Sequence, residues 1–143
     1  MHSCITLKTL LVAAAMALQV GCSSLTYEQI PGPPQEARQE LAASTRRACE
    51  VLPEAAASLS LIVETMVPGA DGCMADLRRD APWWLPGDDG VRLRVRVVPV
   101  SAGQPERSLV VLAAKRVALG QVWIDTGGHS FITRLGDLAG TGR

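Results

Sequence analysis

Aromatic residues are scarce in this chain of 143 residues, with one Tyr, one Phe and three Trp. A surface that stacks sugars or bases normally presents more of them. Lysine is scarcer still: Lys8 and Lys115 stand alone, and every other basic residue is arginine, a usage that reflects GC-rich codon bias as much as chemistry. The 14 basic and 14 acidic residues leave a net charge of zero. Nucleic-acid binding needs a basic footprint, so this balance excludes that class. Histidine occurs only at positions 2 and 129, which excludes a multi-histidine metal site. No apolar run reaches the roughly 20 residues of a membrane span, and no internal repeat or low-complexity tract interrupts the chain.

What is present begins at the N-terminus. Lys8 and the amino group give a positive start. Leu10 to Val20 is apolar except for Gln19, and Gly21 precedes Cys22. A charged n-region, a short apolar h-region and a small-residue cut site make a secretory signal peptide over residues 1–21. The segment Leu18-Gln19-Val20-Gly21-Cys22 resembles the lipobox of bacterial lipoproteins, with Gln19 where that family usually has an aliphatic residue. The resemblance implies a diacylglyceryl thioether on Cys22, cleavage before it and acylation of the new terminus. Ser23 in the following position implies sorting to the outer membrane. The alternative is an ordinary cleaved signal with Cys22 as a free or paired thiol.

Cleavage leaves 122 residues, enough for a short spacer and one domain with a modest core. With Cys4 removed and Cys22 lipidated, Cys49 and Cys73 remain as an even pair in an oxidising compartment, and a disulfide is expected. Closing a loop of about 24 residues contributes about 3 kcal/mol in the chain-entropy account. Two cysteines without a nearby histidine make a poor zinc site, so neither metal nor cofactor is expected.

Residues 22–35 read as the lipidated terminus and a Pro-rich spacer, because Pro31-Gly32-Pro33-Pro34 cannot enter a helix or a central strand. At about 3.1 Å per residue the spacer would hold the domain about 30–40 Å from the bilayer at most. Residues 36–143 form the domain. Gln35 to Leu52 predicts a helix, because good helix formers dominate and Leu41, Ala48, Cys49 and Leu52 fall on one face. Arg38, Arg46 and Arg47 read as solvated charges. Pro53 to Val67 fits either a helix opened by Pro53 or a strand around Leu61-Ile62-Val63. Cys73 to Arg79 reads as a short helix. Asp80 to Gly90, with Trp83-Trp84, reads as an ordered loop. Val91 to Val97 alternates apolar and arginine residues, the mark of a strand buried on one face. Ser108 to Lys115 and Gln121 to Ile124 continue as strands, and Ser130 to Leu138 as a strand or a helical turn. The expectation is an α+β domain in which N-terminal helices pack on one face of a small antiparallel meander in the C-terminal half.

Two sets of residues have the types of known catalytic groups. Asp125-Thr126-Gly127 after an apolar strand resembles the aspartic-protease motif, in which paired carboxylates share a proton. The 16 residues that follow are too few for the rest of such a half-barrel, and the plain alternative is a turn. Asp125, His129 and Ser130 supply the residue types of a serine triad, but neighbours in sequence seldom point at one another and no nucleophile elbow is present. Arg92, Arg94 and Arg96 share one sheet face and could meet acidic groups of a partner or anionic headgroups; otherwise they stand in water or pair with Glu106 and its neighbours. Trp83 and Trp84 form a partner or sugar platform, or plug the edge of the core. The expected role is therefore a non-enzymatic, lipid-anchored accessory or assembly protein facing the periplasm from the Gram-negative outer membrane. Pilotins are similar in size and plan. The alternative is a binder or inhibitor of a small ligand, a glycan or an envelope enzyme.

Overall fold

The chain forms one five-stranded antiparallel sheet in the order β1-β5-β4-β3-β2, crossed on one face by two helices. The computed structural model describes residues 26–79, 91–104, 106–116 and 128–140. A 3-10 turn, Tyr27–Gln29, is followed by β1 (Gln35–Leu41), α1 (Thr45–Ser58), β2 (Ile62–Pro68), β3 (Cys73–Arg79), β4 (Val91–Pro99), β5 (Ser108–Arg116) and α2 (His129–Gly140).

The α+β class holds, but the expected division into N-terminal helices and a C-terminal sheet is wrong. The first half of the chain supplies β1, β2 and β3. Gln35 to Leu41 is an edge strand paired with β5, from Gln35 opposite Ala114 to Leu41 opposite Ser108. Its residues favour a helix by only a few tenths of a kcal/mol each, and a ladder along β5 outweighs that preference. The helix starts later, where Ser44 accepts a hydrogen bond from the Arg47 N–H at 3.2 Å as its N-cap. Pro53 lies inside α1, and Ile62–Pro68 is a strand, so the ambiguous stretch divides between the two states.

Cys73 to Arg79 is also a strand and not a helix. Cys73, Ala75 and Leu77 are buried and alternate with Met74, Asp76 and Arg78 on the other face. Val91–Pro99 and Ser108–Arg116 are strands, in agreement with their sequence pattern, and His129–Gly140 is helical. The expected strand Gln121 to Ile124 lies outside the described residues.

The core lies between the inner sheet face and the helices. β4 supplies Val91, Leu93, Val95 and Val97, while α1 supplies Ala48, Val51, Leu52 and Ala55. From α2 come Phe131, Ile132 and Leu135. The disulfide between Cys49 and Cys73, with Cα atoms 6.1 Å apart, ties α1 to the start of β3. Helix α1 ends in a Schellman motif: the Ser60 and Leu61 N–H groups donate to the Ala57 and Ala56 carbonyls. Ser60 occupies the left-handed position at φ 58°.

Candidate functional site

The outer sheet face is built by the strand alternation that the arginine stripe announced. Arg92, Arg94 and Arg96 all project there, but their surroundings differ. Arg92 is buried, Arg94 half-buried and Arg96 exposed. The register sets Asp76 beside Arg94, and the two form a bidentate pair at 2.8 and 2.9 Å. Arg94 also bonds Glu28. These carboxylates, Asp76 first, hold the guanidinium ionised far above the range of ordinary pH.

Tyr27 covers this cluster. Arg94 lies 4.5 Å and the Lys115 ammonium 4.7 Å from its ring centroid. The Lys115 ammonium also donates to the Ile30 carbonyl at 3.1 Å. Tyr27 and Ile30 are only 6% and 2% exposed, so residues 27–30, within the stretch expected to be spacer, pack on the sheet. Burial raises the Tyr27 phenol pKa; Arg94 opposes the shift, while Glu28, Glu36 and Asp76 add to it.

A second feature lies at one end of the sheet. An open groove of about 980 Å³ runs between the first turns of α1 and the tips of the two hairpins that follow β2 and β4. Thr45, Arg46, Met66, Pro68 and Ser101 line it together with the disulfide. Beside it runs β2, which among the described residues pairs on one side only, with β3. Ile62, Met66 and Val67 on β2 are 46%, 37% and 52% exposed. The other edge strand, β1, has the charge expected of a protected edge, with Arg38 paired to Glu36 and Arg107 to Glu40.

Tyr27, Asp76, Lys115 and the apolar β2 edge were not singled out in the sequence. The alternation of residues 73–79 was the available signal for Asp76. Cys22, Ser23, Trp83, Trp84 and the Asp125-Thr126-Gly127 motif lie outside the described residues. His129 and Ser130 are exposed at the start of α2. Among the described residues no helix is long and apolar enough to cross a membrane.

No family model matches the chain, and no curated protein matches it in sequence. Several solved structures are similar to it. A protein from Nitrosospira multiformis is 10% identical with a TM-score of 0.50, over 75% of this chain and 96% of its own. A Thermus thermophilus protein is 14% identical with a TM-score of 0.46, over 76% and 98%. A point mutant of Thalictrum flavum norcoclaurine synthase, in complex with a transition-state analogue, is 10% identical with a TM-score of 0.48, over 76% and 94%. At such identities the likeness concerns the fold alone.

Proposed function

We propose that this chain is a lipid-anchored accessory protein, held on the periplasmic face of the Gram-negative outer membrane through Cys22 and sorted there by Ser23. It acts by contact with an envelope protein and not by catalysis. The observation that carries the contact is the asymmetry of the sheet edges. Charged β1 is guarded, whereas β2, which carries exposed Ile62, Met66 and Val67 and a bulge between Val63 and Thr65, has no second strand beside it among the described residues. An extended apolar segment of the partner would add to β2 as a sixth strand, with backbone bonds giving affinity and alternate side chains giving selectivity.

Photoreactive residues placed singly at positions 62 to 67 test this in cells. The expected result is adducts with one protein that alternate in yield on each side of the bulge between Val63 and Thr65. Met66→Lys with Val67→Asp lowers them on the order of tenfold, an effect of about 1.4 kcal/mol. Adducts of equal yield at every position, or none, overturn strand addition. A second reading rests on the groove, whose volume matches small-molecule sites of about 300–1,000 Å³. An apolar ligand that co-purifies with the protein and is displaced by bulk at Thr45 would favour that reading.

A further inference from the structure

The outer sheet face and the lipid anchor are close in sequence, and this limits how the domain can sit. The 3-10 turn at Tyr27–Gln29 packs against β4, the third of five strands and so the middle of the sheet. Thr26 precedes it and is exposed. Between Cys22 and Thr26 there are four peptide units, which reach at most about 14 Å when fully extended.

Turning the helices toward the bilayer would take the chain around a sheet edge. That path crosses two strand spacings of about 4.8 Å and then a helix layer about 10 Å thick. It is longer than the available chain. The outer face itself suits a bilayer surface. Arg96 and Val98 are exposed on it, and Arg96 lies in one cross-strand row with Met74, Val111 and Arg38, whose side chain stays 63% exposed while it bonds Glu36.

We propose that the outer sheet face is a membrane-apposed surface that meets anionic phospholipid headgroups through Arg38 and Arg96. In this arrangement the Tyr27 plug shortens the tether and turns α1 and α2 away from the bilayer. The proposal rests on acylation of Cys22, so the test measures acylation separately.

The acylated full-length protein is labelled in cells with an alkyne fatty acid. A photoreactive residue is placed at Val98, on the outer face, or at Arg134, an exposed position of α2. Lipid adducts from position 98 should exceed those from position 134 on the order of tenfold, as expected for a short tether. Inserting a Gly/Ser spacer of about 20 residues between Ser24 and Leu25 should bring the two positions close to parity. Adducts at position 98 should be enriched in phosphatidylglycerol, and Arg38→Ser with Arg96→Ser should remove that enrichment. Equal adducts at both positions in a labelled protein overturn the proposal and leave the lipoprotein reading standing. A bias that survives the spacer overturns the tether, and absence of enrichment overturns headgroup recognition. Absence of the fatty-acid label overturns the lipoprotein reading and this proposal with it.

Discussion

At the scale of single residues, Tyr27 carries the most information. It is the sole tyrosine in the chain, so phenolate absorbance reports this side chain alone. Its burial raises the phenol pKa above the ordinary value of about 10. A spectrophotometric titration of the folded protein should therefore ionise later than the same chain in denaturant. Because the folded chain holds the proton more tightly, this contribution to stability is intact below about pH 10 and is lost as pH rises beyond it. Coincident titrations would mean that Tyr27 does not stay buried on the sheet. Ser60 is the second informative residue. It occupies a left-handed position that suits glycine, so Ser60→Gly should stabilise the protein by about 1 kcal/mol, seen as a higher denaturant midpoint at unchanged slope.

At the scale of elements, the strands with strict alternation were legible and the edge strand was not. In Val91 to Val97 each apolar residue faces the core and each arginine the other side, so local pattern and tertiary environment agree. Residues 73–79 follow the same rule, but with the small side chains of Cys73 and Ala75 and the charge of Asp76, which weaken the signal. For Gln35–Leu41 no local signal exists. Its residues favour helix, only Leu41 is buried, and pairing with β5 makes it a strand. The disulfide was legible because the expected export, with Cys4 cleaved off and Cys22 acylated, left one pairing. It joins two elements 24 residues apart, so Cys49→Ser with Cys73→Ser should cost about 3 kcal/mol in equilibrium unfolding. No change in the denaturant midpoint would show that the helix and sheet hold without it.

At the scale of the whole molecule, the Tyr27 plug changes the proposed relation between domain and membrane. A spacer running to Gln35 would let the domain tumble about 30–40 Å away, whereas a chain buried on the sheet from Tyr27 onward would, in the proposed arrangement, leave a short link that limits its orientation. Cys22→Ala should move the protein from floated membranes to the soluble periplasmic fraction, read by membrane flotation. Continued flotation would show that something other than the lipid holds it.

The sequence by itself determined the cysteine pairing and the two strands of strongest alternation. Each of these depends on residue type or on a period of two within a few positions. Only the tertiary structure decided that Gln35–Leu41 closes the sheet, that Arg92, Arg94 and Arg96 have three different environments, and that Tyr27 lies over Arg94 and Lys115. These features depend on partners 18 to 88 residues away in the chain, the separations of Asp76 and Arg94 and of Tyr27 and Lys115. No local pattern encodes them, because a strand edge or a buried charge is defined by what the fold brings beside it.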